Sequence, residues 1–117
     1  MTQNTGEKEL RWVGSSYDDL LVFPKTARRE AGFQLSKVQA GLEATDWKPF
    51  DVVGSGTREI RLRDTSGIYR VMVVAKFEEA VHVLHCFQKK TQAASKQDIE
   101  ITTVRYRAVV NARKAKR

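Results

Sequence analysis

R-E-I-R-L-R-D-T-S-G-I-Y-R-V-M-V-V-A-K-F-E-E-A-V-H-V-L-H-C-F-Q-K-K-T, residues 58–91, is the stretch that decides the fold. Its opening residues alternate: Ile60 and Leu62 fall on one side, Glu59, Arg61 and Arg63 on the other. That period of two belongs to a half-buried strand. Asp64-Thr-Ser-Gly67 then supplies the residues of a tight hairpin turn. Residues 68–77 are rich in valine and aromatic side chains on both sides, as a strand covered on both faces should be. A turn at Glu78-Glu79-Ala80 leads to a third strand over 81–88, closed by Lys89 and Lys90. The stretch predicts an antiparallel meander with one charged, largely basic face.

The flanks place helices around this meander. Pro24 suits the first turn of a helix that carries Ala27, Ala31, Leu35 and Val38 at three- and four-residue spacing. Gly41 fits its C-terminal cap, and Gly32 in its interior predicts a kink. Upstream, Leu10 to Val13 reads as a short strand, and serines followed by Asp18 and Asp19 begin a shorter helix. Residues 43–56 read as a loop; Gly54-Ser55-Gly56 lacks the G-K-[ST] and the following helix of a phosphate-cradling loop, so it is an entry turn to the sheet. Downstream, Ser95-Lys-Gln-Asp98 resembles a capping box and opens a last helix with Ile101, Val104 and Ala108 as its apolar stripe. The expected order is β-α-α-β-β-β-α. This is an α+β fold with an antiparallel sheet, two N-terminal helices packed on it and a C-terminal helix. Residues 1–9 are expected to be disordered, 10–110 to form the domain and 111–117 a basic tail.

Composition narrows the functional classes. The chain has 117 residues, enough for one domain with an ordinary core. With 41% apolar and 30% charged residues it has a globular rather than a disordered profile. No apolar run is long enough for a membrane helix, and the N-terminal M-T-Q-N-T-G-E-K-E-L lacks the apolar core of a secretory signal, so a cytoplasmic protein is expected. The single cysteine, Cys86, lies in an apolar run and reads as a buried thiol. The net charge is +7, and the segment from Lys89 to Arg117 holds nine Lys/Arg against two acids, which accounts for all of it. Positive charge clustered in this way suits a polyanion such as RNA; a solvated surface with a frayed basic end is the competing account.

The candidate site residues lie in the same stretch. Arg70 follows Tyr69 in an otherwise apolar strand, and the hairpin brings it beside the 61–63 end of its neighbour. Two adjacent arginines repel unless an anion lies between them. An ion pair from Arg70 to Glu59 or Asp64 is the alternative. Lys89 and Lys90 would add to the same cleft. His82 and His85 are an odd number apart and so should face opposite ways. Their spacing fits no metal motif and Cys86 has no partner ligand, so neither metal nor cofactor is expected. No nucleotide-binding, zinc or serine-nucleophile motif occurs.

Together, E-I-R-L-R-D-T-S-G-I-Y-R-V (59–71) and V-A-K-F-E-E-A-V-H-V-L-H-C-F-Q-K-K-T-Q (74–92) resemble the HigB-like branch of the RelE toxin superfamily, which includes many phage-derived members. The resemblance extends through R-W-V-G-S-S (11–16), F-P (23–24), A-G-F-Q-L (31–35), W-K-P (47–49), S-K-Q-D-I-E (95–100) and R-Y-R (105–107). The pairing of G-x-Y-R-V with L-H-x-F-x-K-K-T is its most specific part. It implies a RelE-like fold and the toxin of a type II toxin–antitoxin system. The implied activity is a metal-independent endoribonuclease acting on translated mRNA in the ribosomal A site, beside ribosomal RNA, and held in a hetero-oligomer by a helix-turn-helix, HigA-like antitoxin. The 2′-hydroxyl attacks the neighbouring phosphate, leaving a 2′,3′-cyclic phosphate and a 5′-hydroxyl.

By the same resemblance Arg61 and Arg70 hold the scissile phosphate, and Lys90 assists the leaving group or the phosphate. Glu59, Arg63 and Lys89 are further RNA-binding candidates. Arg70→Ala is then expected to abolish toxicity and leave the fold intact. Some members use a histidine or tyrosine near the C-terminal end as acid or base; here only Tyr106, within the last helix, follows Lys90. The general base stays open between Glu59, His85, a lysine and no dedicated side chain. A non-catalytic RNA- or ribosome-binding protein of phage origin with the same fold is the alternative function.

Overall fold

A computed structural model describes residues 7–90 and 93–116. It folds them as β1 (Glu9–Trp12), α1 (Ser16–Leu21), α2 (Lys25–Gln39), β2 (Trp47–Pro49), β3 (Thr57–Asp64), β4 (Gly67–Val74), β5 (Ala80–Lys89) and α3 (Lys96–Ala115). The strands form one sheet in the order β1-β5-β4-β3-β2. The expected meander is present as β3-β4-β5, with Arg61 opposite Arg70 and Asp64 opposite Gly67 at the hairpin. The α+β class holds.

Two strand pairings enlarge the sheet. Residues 47–49 lie in the segment read as a loop, yet Trp47 pairs with Ile60 and Pro49 with Arg58. Three residues are too few to display a period, and proline is confined to edges because it cannot donate to the ladder. β1 pairs parallel to β5, Glu9 with Ala80 and Trp12 with Val83, so the sheet is mixed rather than wholly antiparallel. Parallel pairing needs a long crossover, and the rest of the chain between β1 and β5 provides it.

A bulge in β5 reverses another expectation. Met72 faces His85 but Val73 faces Val83, leaving Leu84 as the extra residue. One extra residue turns an odd separation into an even one. His82 pairs with Val74 and His85 with Met72, so both histidines share a face of the sheet.

The helices are set by their ends. α2 runs through Gly32 without a break, and Gly32 is exposed with open space at its Cβ position, so no packing demands a kink. Gly41 adopts φ +85°. Its N–H bonds Val38 O and the Leu42 N–H bonds Lys37 O at 2.9 Å, which closes the helix in a Schellman motif. At α3 the Ser95 hydroxyl oxygen accepts from the Asp98 N–H at 3.0 Å, as the capping sequence predicts. α3 continues to Ala115, so the first part of the segment read as a tail is helical. β1 begins at Glu9, the last residue of the segment expected to be disordered. Lys8 of the same segment is also ordered, its N–H donating to Gln39 O at 2.9 Å and its own carbonyl accepting from Gln39 Nε2 at 2.8 Å. Residues 1–6, Thr91, Gln92 and Arg117 lie outside the described residues, and with them the first six residues of that segment, the end of the K-K-T-Q motif and the last residue of the tail.

The sheet is apolar on both faces, each with its own cluster. Ile60, Leu62, Tyr69, Val71, Val73, Val81 and Val83 pack against Leu20, Phe23, Ala27, Ala31, Leu35 and Val38 of the α1–α2 layer. On the other face Met72, Val74, Leu84 and Phe87 meet Tyr106 and Val109 of α3. Tyr106 also explains the glycine-rich turn. Its hydroxyl donates to Ser55 O at 2.7 Å, and a Cβ on Gly54 would come within 2.3 Å of its ring. Among the described residues no helix is long and apolar enough to cross a membrane.

Candidate nucleic-acid interface

Register decides which charged residues meet. Across three strands Arg61, Arg70 and Phe87 form one row, Arg63, Ile68 and Lys89 the next, and Glu59, Met72 and His85 the row on the other side. Lys48 pairs with Glu59 from β2. Alternation puts all of these on the α3 side of the sheet, away from α1 and α2. Of the six predicted site residues, Glu59, Arg61, Arg63, Arg70 and Lys89 share this face. Lys90 is not placed among them: it is exposed and lies one residue past the end of β5, outside the strand pairing.

The two neighbouring arginines are each matched by a carboxylate. Arg70 Nη1 donates to Glu59 Oε2, and both side chains are buried. This is one of the two ion pairs left open for Arg70. The other does not form: Asp64 accepts instead from the Thr26 and Ser66 hydroxyls, and these bonds hold its carboxyl below the usual range. Arg61 donates from Nε at 3.1 Å and Nη2 at 2.9 Å to the same Asp46 oxygen. Lys48 Nζ lies 3.6 Å from the second Glu59 oxygen.

Exposure separates roles that charge alone cannot. Side-chain exposure rises from 2% at Arg70 through 29% at Arg61 to 70% at Arg63. Arg70 and Glu59 therefore form the floor of the face, Arg61 its wall and Arg63 its rim. A bound phosphate could meet Arg61, Arg63, Lys48 and Lys89 directly, whereas Arg70 acts through the field it sets up. Lys89 is half-buried. Partial loss of solvent holds its ammonium below the ordinary lysine range, as does the nearby Arg70; Glu59 opposes this, and Arg61 and Lys48 add to it. Five cations (Lys48, Arg61, Arg63, Arg70 and Lys89) stand against the two carboxylates of Asp46 and Glu59. The face keeps a net positive charge after its internal ion pairs form.

Several contributors escaped the sequence reading. Asp46 and Lys48 lie in or beside β2, the strand read as loop, and only the W-K-P triplet hinted that the segment mattered. His85 Nε2 is 2.8 Å from Asp98 Oδ1, and its ring stacks on Phe87 with centroids 4.8 Å apart. This pair ties the start of α3 to β5 beside the basic face. Spacing along the chain gave no sign of it, because it joins two elements through the tertiary fold.

Cys86, by contrast, is the buried thiol expected, and burial pushes its pKa up to about 12. A thiolate-dependent reagent at pH 8 is expected to leave the native protein unlabelled and to modify the thiol fully once urea unfolds it. Rapid labelling of the folded protein would contradict that burial.

The family described as Phage derived protein Gp49-like matches residues 18–107. That span holds every residue of the basic face. No curated protein matches the chain.

Proposed function

We infer the function from one premise: the chain belongs to the family of phage-derived Gp49-like proteins, a family related to the toxins of toxin–antitoxin systems. The reading is a HigB-like toxin that enters the ribosomal A site and cleaves the mRNA being translated. The observation that carries it is the graded basic face, on which register gathers Arg61, Arg63 and Lys89 around the buried Arg70–Glu59 pair. A phosphoryl transition state gains negative charge on its equatorial oxygens, and cations already fixed in place stabilise it without reorganising. The two ion pairs do the fixing.

In this reading Arg61 and Arg63 bind the phosphate that the 2′-hydroxyl attacks. The 2′-oxygen bonds to phosphorus and the bond to the 5′-oxygen breaks. The 2′-hydroxyl loses a proton and the departing 5′-oxygen gains one. Lys89 takes the assisting place that the resemblance gives to Lys90, because it shares the face and its proton is held less firmly than an ordinary lysine's. A helix-turn-helix antitoxin is the proposed partner, and cytoplasmic mRNA on the ribosome the proposed substrate.

Induced expression is expected to arrest growth and to create new 5′-hydroxyl ends inside reading frames. Arrest without such ends would favour the second reading, a non-catalytic ribosome-binding protein. The observation behind that reading is that Arg61 and Arg70 already hold carboxylates.

A further inference from the structure

α3 has two apolar sides. One packs on the sheet through Tyr106 and Val109. The other carries Val104, Ala108, Ala112 and Ala115, all exposed, with Val104 at 64%. Spacings of four, four and three keep these side chains in one stripe, and small residues in such a stripe let a second helix approach closely.

Beside the stripe, between α3 and the edge strand β1, lies a cavity of about 690 Å³ lined in part by Trp12, Val13, His82 and Val109. Volumes of this size hold apolar groups of a ligand. His82 is buried, and among the described residues its Nε2 has no hydrogen-bond partner, the Glu79 carboxylate being 3.5 Å away. Burial holds the ring below the ordinary histidine range against the pull of Glu79. The cavity has an apolar part, Trp12, Val13, Ala108 and Val109, bordered by the charged Arg11, Glu79, Arg113 and Lys116.

Cations outnumber acids around this surface: Glu79 lines the cavity and Glu9 lies 3.1 Å from Arg11, and the remaining charges are positive. Arg11 and Lys116 border the cavity, and Arg107 and Lys114 flank the stripe on its other side. Arg113 is occupied by Glu79, with both carboxylate oxygens at 2.8 Å. No acid occurs in α3 after Glu100. A phosphate backbone could meet the cations but could not fill the stripe or the cavity. A second copy of this chain would set like charges against each other.

We infer that the outer stripe of α3 and the cavity beside β1 form a docking site for an acidic amphipathic helix of a partner protein. The helix's apolar side chains enter the cavity and its carboxylates meet Arg107, Lys114 and Lys116. The site lies at the Ala80 end of β5, about 30 Å along the strand from Lys89. A helix bound there leaves Arg61 and Lys89 open, and it would oppose entry into a large assembly by its bulk. The inference does not rest on the cleavage chemistry.

The test titrates the full chain with a synthetic amphipathic helix bearing leucines on one face and glutamates on its flanks, followed by calorimetry. A scrambled peptide of equal composition and a single-stranded RNA oligomer are the comparisons. The designed helix is expected to bind saturably, the scrambled peptide not. Ala112→Glu is expected to weaken binding about tenfold or more, a loss of about 1.4 kcal/mol. Lys116→Glu, at an exposed position, repeats the test should Ala112→Glu fail to fold. Equal binding of the scrambled peptide, or unchanged affinity in a folded variant, would overturn the inference. So would RNA that binds more tightly than the helix and is lost in the same variants, since the surface would then belong to nucleic acid.

Discussion

Arg70→Ala is expected to lower the unfolding free energy by about 3–5 kcal/mol, because it strands a buried carboxylate without its counter-charge. Glu59 is buried and its Oε2 accepts from Arg70. Lys48, 3.6 Å from the other oxygen, is half-exposed and can compensate only in part, which favours the lower end of that range. Urea denaturation reads the loss directly. Replacing both partners with apolar residues, Arg70→Met with Glu59→Leu, removes the uncompensated charge and should recover much of it. An Arg70→Ala protein as stable as wild type would contradict the buried pair. It follows that lost toxicity in Arg70→Ala alone would not identify a catalytic residue. The expectation of an inactive but intact variant, natural from sequence, is replaced by one of an unstable variant.

Arg61→Ala is the cleaner probe and carries the largest expected change in activity. Arg61 and Asp46 are both partly exposed, and pairs of that kind contribute about 0.2–1 kcal/mol to stability. The fold should survive. Removing one fixed donor to a developing oxyanion typically slows a reaction about a hundredfold to a thousandfold. Cleavage by Arg61→Ala is therefore expected to fall by that factor while its melting temperature barely moves. Arg61→Lys keeps the charge but loses the planar fork, and should recover only part of the rate. Lys89→Ala should slow cleavage far more than Lys90→Ala, because the strand pairing places only Lys89 on the face. Equal effects of the two lysines would remove Lys89 from its proposed place.

Much of this was readable in the chain. Alternation at 58–63, the Asp64–Gly67 turn and the apolar residues that follow set the meander, and its hairpin brought Arg61 beside Arg70. Three features resisted. β2 is too short to show a period and contains a proline. The parallel pairing of β1 with β5 depends on where a crossover lands, which no local pattern records. The bulge at Leu84 reverses the face of one histidine without changing any residue type. The site was legible as a set of cations; of its pairs, Arg70–Glu59 was one of two alternatives left open and Arg61–Asp46 was not foreseen. Whether Arg70 faces solvent or Glu59 is decided by tertiary burial, and Asp46 joins Arg61 only because β2 adds an edge to the sheet. The lysine pair at 89 and 90 shows the same limit, since the strand ends between them.

The most direct measurement of the central claim uses purified protein and a defined mRNA, free and loaded on programmed ribosomes, with the ends of the products analysed. The account predicts cleavage only on the ribosome, fragments ending in 2′,3′-cyclic phosphate and 5′-hydroxyl, and near-complete loss of both in folded Arg61→Ala. Intact mRNA on ribosomes that carry the bound protein would contradict it, as would undiminished cleavage by Arg61→Ala.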